Sequence, residues 1–384
     1  MEVEETEEEE KEEEREQALQ DRPVMLRVGA SQSWDSNIFR LAGGSKERIG
    51  TAYAGLSIDK PYAQQRLRLD VTGTAYRYRN FAHLDFEALD YLGAWSWRLG
   101  PRVGGALSAG RTQSLASYVD FRDPTQRNVL TTEDLALSAD AWLMGGWHVL
   151  GGLTRVHNRY SVPFPQEGNY RAGGGEAGVK YVAPSTSWVA LTLRTLDGDY
   201  ERPLDPAARL DDGFRRSEAE LAATWRASGK SAFAGRLARV DYRSNNFAER
   251  DFSGPAARLR YVWLATGRLS LNAEYGRDIG PWSDATASHR VEQRLTLAPA
   301  WQIAARTTLR LTVLRAQSDY RDPPPGFAGA QRRDVLRSAQ LEAEWRALRN
   351  VSLKASVQRY RQGSTDPAAA FSGSLVTLAA SLLF

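Results

Sequence analysis

Seven short turns punctuate this chain at nearly even intervals, and each carries a tryptophan beside it. They read "WSWRLGPR", "MGGWHVL", "APSTSW", "TWRASGKS", "VWLATGR", "AWQIAART" and "EWRALRN". The tryptophans Trp97, Trp147, Trp188, Trp225, Trp263, Trp301 and Trp345 are spaced by 50, 41, 37, 38, 38 and 44 residues. Midway between them lie longer, polar stretches such as "DFRDPTQRN", "YRSNNFAERD" and "RDPPPGFAGAQRRD". A fixed period of this kind marks a repeated supersecondary unit. The unit here is strand, short turn, strand, long loop.

The segments between the turns alternate. In "LRLDVTGTA", Leu67, Leu69, Val71 and Gly73 share one face, and Arg66, Arg68, Asp70, Thr72 and Thr74 share the other. In "SEAELAATW", Ala219, Leu221, Ala223 and Trp225 oppose Glu218, Glu220, Ala222 and Thr224. In "ARLRYVW", Ala257, Leu259, Tyr261 and Trp263 oppose Arg258, Arg260 and Val262, while Asn272, Glu274, Glu292 and Arg294 lie on the polar side further on. A β-propeller repeats at a similar length, but it needs four strands per blade and buries both sheet faces. Two long strands per period, with one face heavily charged, fit a transmembrane β-barrel instead. Such a barrel has an apolar outward face, a polar lumen, short periplasmic turns, long outer loops and aromatic girdles. The tryptophans at the short turns then form the periplasmic girdle.

Strands are expected near 23–34, 47–59, 62–79, 85–99, 102–118, 129–146, 149–160, 171–183 and 187–200. They continue near 213–227, 230–244, 251–265, 268–279, 287–302, 306–320, 332–347, 350–361 and 371–384. The fold class is therefore all-β, an antiparallel outer-membrane barrel of about eighteen strands, and the even count puts both termini on the periplasmic side. The closing strand "LVTLAASLLF" alternates apolar residues up to Phe384. It is expected to pair with the first strand and to present its terminal aromatic residue to the barrel assembly machinery.

Two regions follow. Residues 1–22 hold twelve acids against three bases, and taking that −9 from the total of +3 leaves +12 on the barrel region, 23–384. The acidic run has almost nothing to bury and reads as a disordered or helical extension. It lacks the basic start and apolar core of a signal peptide. No run of about eighteen apolar residues suggests a membrane helix, and the absence of cysteine excludes disulfides and thiolate metal sites.

The stretches "DSNIFRL", "YAGLSIDKPYAQQRLRLD", "RTQSLASYVDFRDPTQRN", "WLMGGWHVLGGLTRV", "EAGVKYVAPS", "LDGDYERPLD", "LDDGFRRSE" and "NNFAERDFSGPAARLRYVW" resemble EpsL-type outer-membrane proteins. These belong to exopolysaccharide biosynthesis clusters of Gram-negative bacteria, often beside exosortase genes. The resemblance runs from about residue 25 to Phe384 and includes no catalytic motif. It implies a role in moving or anchoring polysaccharide at the outer membrane; periplasmic export components are a separate expected partner.

Motifs for chemistry fail on context. "GGGEAG" matches a dinucleotide pattern through Gly173, Gly175 and Gly178, but strand follows it where a helix is required. "SGKS" reads as a hairpin turn. No nucleophile elbow or paired metal histidines occur, and His83 and His157 read as loop or interface residues. Asp197, Asp199, Asp205, Asp211 and Asp212 could gather calcium, although Asp and Gly equally make turns. The chain is expected to be no enzyme, to need no cofactor or metal, and to bind no nucleic acid.

The arginine load is the remaining signal, since of fifty basic residues only six are lysine. Arg66, Arg68, Arg258, Arg260, Arg294 and Arg310 are expected to line the lumen, together with Glu218, Glu220, Glu274, Glu292, Glu342 and Glu344. These charges could simply pair across strands. They could also make a basic conduit that draws an anionic polysaccharide through guanidinium contacts, with Tyr76 and Tyr78 stacking on its sugar rings. A barrel of sixteen to eighteen strands is wide enough for such a channel. The alternatives are a general diffusion porin, or a plugged, non-conducting barrel with a structural role in secretion. Loops that could fold inward are "SVPFPQEGNY" and the long acidic one.

Overall fold

A computed structural model describes residues 23–384 except 285, 324, 326–328 and 330. The expected extension, 1–22, lies outside the described residues. Eighteen strands follow one another: β1 (Val24–Asp35), β2 (Glu47–Tyr62), β3 (Gln65–Tyr78), β4 (Phe86–Leu99), β5 (Val103–Leu115) and β6 (Val129–Met144). Next come β7 (Trp147–Tyr160), β8 (Tyr170–Val182), β9 (Trp188–Tyr200), β10 (Gly213–Ser228), β11 (Ser231–Ser244) and β12 (Phe252–Leu264). The last are β13 (Leu269–Pro281), β14 (His289–Ala304), β15 (Thr307–Arg321), β16 (Arg333–Leu348), β17 (Val351–Ser364) and β18 (Phe371–Leu383). Every expected strand is present, with ends displaced by three residues at most.

Each strand pairs antiparallel with its sequence neighbours, and β1 also pairs with β18, so no edge is left open. The final residue completes the seam: Phe384 donates its N–H to the Leu26 carbonyl at 2.8 Å and accepts from the Leu26 N–H at 3.1 Å. Closure is what satisfies the strand edges through the level where no water is available. The short turns are tight enough to need special backbone. Gly145, at φ 54°, lets β6 reverse into β7 within two residues. The glycine run on β8 has a different cause. A Cβ at Gly174 would lie 1.9 Å from the Thr195 carbonyl oxygen of β9, so the close approach of two strands requires glycine there.

The two faces separate cleanly. Leu67, Leu153, Leu193, Leu221, Leu237 and Val357 are exposed on the outside, although they are large and apolar. A band of that kind is stable only against lipid. Aromatic residues border it near the short turns, where Trp225, Phe233 and Tyr261 stack at 5.5 and 4.5 Å and Trp147 meets Tyr181 at 5.2 Å. Trp97, Trp147, Trp225, Trp263, Trp301 and Trp345 take outward positions in this girdle. Trp188 does not. Val189, Leu191 and Leu193 hold the outward positions of β9, so strict alternation turns Trp188 inward, and Tyr181 occupies the girdle at that hairpin.

Candidate functional site

The lumen divides at mid-height. In its periplasmic half, inward charges stand on the wall and pair across strands, as like-facing positions of neighbouring strands allow. Arg66 meets Asp59 at 2.5 Å and Arg68 meets the same carboxylate at 3.2 Å. Arg258 lies 3.7 Å from Glu274, and Arg310 lies 3.8 Å from Glu342. Lys354 binds Glu344 at 3.3 Å. Glu218 is the most enclosed of these acids, with Arg194, Arg216 and Arg236 at 3.5, 2.6 and 3.3 Å. Arg236 also reaches Glu220 at 2.8 Å. Arg260 faces inward on β12 and is exposed. Arg66, Arg68, Arg258 and Arg310 all stay about half-exposed to the lumen.

The extracellular half is crossed by loops. The loop 116–128, between β5 and β6, folds inward and carries Tyr118 and Phe121 into an aromatic core. Phe39, Tyr78, Phe86, Tyr160 and Phe164 complete it, with Phe39 edge-on to Tyr118 at 4.9 Å and Phe121 5.5 Å from Phe164. Tyr76 stacks flat on Phe86 at 4.5 Å, and Tyr78 is buried. The expectation that these two tyrosines offer rings to sugar is therefore corrected. Both belong to the packing that closes the mouth, because the inward loop covers them.

Loops 116–128 and 161–169 reach the opposite wall and are held there by charge. Arg290 of β14 lies 3.2 Å from Asp120 and 3.9 Å from Glu167. Its guanidinium also sits 5.1 Å from the Trp282 ring. Arg122 binds Asp366 at 3.3 Å, and Ser283 donates its N–H to the Gln166 carbonyl at 3.2 Å. Arg332 binds Asp334 at 2.5 Å beside this contact. Burial pushes the Glu167 carboxyl up to about 7 against the pull of Arg290, and it raises Asp120 in the same direction. These are acids held where water is scarce.

The tip of the β13–β14 hairpin also leans in. β12 and β13 pair only as far as Ala257 and Arg277, beyond which they part. His289 then stacks on Phe252 at 4.8 Å, and Ile279 packs over Gly254 on the inner face of β12. This second apolar cluster includes Tyr200, Phe214, Val240 and Tyr242. A cavity of about 320 Å³ remains between the hairpin tip and the wall, lined by Glu167, Tyr170, Arg216, Arg290 and Glu292. Arg294 and Glu292, on the inward face of β14, pair with each other at 2.7 Å at its edge.

Of the two loops expected to fold inward, "SVPFPQEGNY" does so, through Phe164 and Glu167. The acidic loop instead ties itself to its neighbours: Asp211 accepts from Asn246 at 2.9 and 2.8 Å and from the Ser244 hydroxyl. Asp197 lies on the outer face of β9 and pairs with Arg215 at 2.6 Å. Among the described residues no group of acids or histidines is arranged to hold a metal. His83 meets the Pro124 carbonyl, and His157 lies between Glu133 and Glu201. The inward loop 116–128 escaped the sequence reading. Its signal was present, in aromatic residues at Tyr118 and Phe121 inside an otherwise polar loop.

Comparison with known proteins agrees with this architecture. OpdK of Pseudomonas aeruginosa, solved with vanillate, superposes with a TM-score of 0.54 at 13% identity, over 94% of this chain and 99% of its own. OccK9 (OpdG) of the same organism gives 0.54 at 16% identity, over 95% and 99%. OccK2 (OpdF), solved with glucuronate, gives 0.52 at 13% identity, over 95% and 98%. At such identities the likeness establishes the fold alone. No family model matches the chain, and no curated protein matches it.

Proposed function

We propose that this protein is a gated outer-membrane conduit for an anionic saccharide chain leaving the cell, with periplasmic components supplying the drive. One observation carries the reading. The periplasmic half of the lumen is lined by half-exposed arginines, and on the extracellular side inward loops are held across it through ion pairs. A polymer presented from the periplasm meets Arg66, Arg68, Arg258, Arg260 and Arg310 first, in a field that favours anions. The seal beyond is made of docked loops, which can release as a unit. The resemblance to EpsL-type proteins points to an exopolysaccharide as cargo. The charge pairing narrows the earlier picture of a simple basic conduit, because most lumen arginines have a carboxylate partner. Attraction then comes from guanidinium edges left free within each pair.

A small-solute reading has its own support. OpdK holds vanillate and OccK2 holds glucuronate, both carboxylate anions, and the cavity beside Arg290 and Arg216 would admit one sugar ring. The two readings separate in a planar bilayer. Full-length protein is expected to conduct weakly at rest, and a variant with 117–127 replaced by a short Gly-Ser linker is expected to conduct steadily. Block of that variant by anionic oligosaccharide, from the periplasmic side and not by neutral oligosaccharide, supports the conduit. Equal block by both sugars, or no gain in current, sinks it.

A further inference from the structure

Many arginines of this chain lie outside the lumen, on the outer face just above the apolar band. At several places they have acids beside them: Arg77 binds Glu87 at 2.7 Å, Arg111 lies 3.6 Å from Glu133, and Arg243 binds Asp241 at 2.8 Å. One sector differs. On β15, β16 and β17, Arg315 stands directly opposite Arg337, and Arg337 stands directly opposite Arg361. Arg359 lies two positions below Arg361 on the same face and diagonal to Arg337. Their outward direction follows from the alternation, since Val313, Leu341 and Val357 are exposed on the same faces.

Direct cross-strand partners bring Cβ atoms to about 5 Å, and like charges so placed repel. None of the four arginines makes an ion pair among the described residues. The acid on that face, Asp319, already holds Arg333 at 2.6 Å and Arg321 at 3.9 Å. Four exposed cations are thus stacked together without a counter-charge, beside a surface that must contact lipid.

Their height identifies what neutralises them. Arg337 lies eight residues above the girdle residue Trp345 on β16. At about 3.3 Å per residue and a tilt of about 35–45°, this is about 20 Å towards the outside. The cluster therefore stands at the headgroup level of the outer leaflet. We infer that Arg315, Arg337, Arg359 and Arg361 form a binding site for a phosphorylated lipid headgroup of that leaflet. Forked guanidinium groups match phosphate oxygens bidentately, and a phosphate lying among them removes the repulsion that the bare sheet carries. The acyl chains would lie down the band over Val313, Leu341 and Val357. This inference rests on the outer surface and is independent of what the lumen transports.

Native mass spectrometry of the refolded full chain in detergent tests it, with diphosphorylated lipid A as probe. Lipid adducts are expected to fall at least tenfold in the Arg315→Gln, Arg337→Gln, Arg361→Gln variant. They are expected to be partly retained when the same positions carry lysine, which keeps the charge but not the fork, and to persist fully in Arg77→Gln. Heat-modifiable migration on a gel confirms that each variant is a folded barrel. Equal binding of fully dephosphorylated lipid A, or adducts unchanged in the triple glutamine variant, overturns the site. Competition by inorganic pyrophosphate at concentrations equal to the lipid also overturns it, because the pocket would then be one for free phosphate.

Discussion

The two halves of the lumen are built from the same strands by the same alternation, and they end in opposite states. On β3 the inward positions begin with Arg66 and Arg68 at the periplasmic end and finish with Tyr76 and Tyr78 at the outer end. On β10 the order is similar, with Glu220 and Glu218 below and Phe214 above. On these two strands inward polarity is thus graded from the periplasmic to the outer end. The turns explain the gradient. The hairpin turns at 63–64 and 229–230 cannot reach the axis, so the wall beside them faces water and must be charged. Loops such as 116–128 can cross the barrel, so the wall beneath them is covered and is either apolar, as at Tyr78 and Phe86, or paired with a loop charge, as at Arg290. On β3 and β10, at least, the aromatic inward residues mark where a loop lies over the wall.

The sharpest way to break this contrast is to remove the cover. Replacing 117–127 with a short flexible linker deletes Phe121 and the anchors Asp120 and Arg122, and leaves Tyr78, Phe86 and Phe164 facing an empty mouth. Single-channel conductance is expected to rise about tenfold or more. Unchanged conductance would show that the hairpin tip of β13–β14 closes the lumen by itself.

A single substitution at the anchor is expected to act less strongly. Arg290→Gln leaves Asp120 and Glu167 without the cation that faces them, and breaking a buried pair from one side typically costs about 3–5 kcal/mol. Here the side chain keeps some exposure, and the loss is expected to be about 2 kcal/mol and confined to loop docking. Limited proteolysis within 116–128 reads it directly. Faster cleavage with an intact barrel is the expected result, and protection equal to the parent would remove Arg290 as the latch.

How much of this was readable beforehand follows the same division. Wherever strict alternation governs, the sequence carried the answer: eighteen strands, their pairing order, and inward placement of Arg258, Glu274, Arg310 and Glu342. The aromatic ends of the strands carried it too, but an inward tyrosine means stacking platform or loop cover according to what lies over it. That depends on contacts between residues far apart in the chain, such as Arg290 with Asp120 or Arg122 with Asp366. No local period encodes such contacts. The arginine load was ambiguous for a related reason: Arg315, Arg337 and Arg361 share the outward face with leucines and valines, and only cross-strand register shows them as neighbours.

A smaller effect is expected from acid and base. The Glu167 carboxyl titrates near 7 when docked, above its ordinary value of 4.5, so docking favours its protonated form. That stabilisation is complete below about pH 4.5 and is lost as the pH rises through about 7. Asp120 is displaced in the same direction. Conductance is accordingly expected to increase a few-fold between about pH 5 and pH 8, with Arg290 unchanged in charge throughout. In Glu167→Gln the profile is expected to flatten towards the low-pH level. A parent profile that falls with rising pH would reverse the assignment.

The smallest expected effect concerns the girdle, and it sharpens the inward–outward distinction at the level of single residues. Trp225 stacks on Phe233, which stacks on Tyr261, and all three face lipid at the periplasmic border. Trp225→Ala removes one aromatic contact, worth about 0.5–1.5 kcal/mol beyond area, together with an interfacial anchor. Trp188 looks identical in the sequence pattern but faces the lumen, with Val189 and Tyr181 taking the lipid side. Trp188→Ala is therefore expected to leave membrane stability within about 0.5 kcal/mol of the parent, as a substitution away from such contacts does. Urea titration of refolding into phospholipid vesicles compares the two, and a larger loss at Trp188 than at Trp225 would contradict the parity of β9. A change of current at Trp188 without a change of stability would instead place its ring on the entrance to the path.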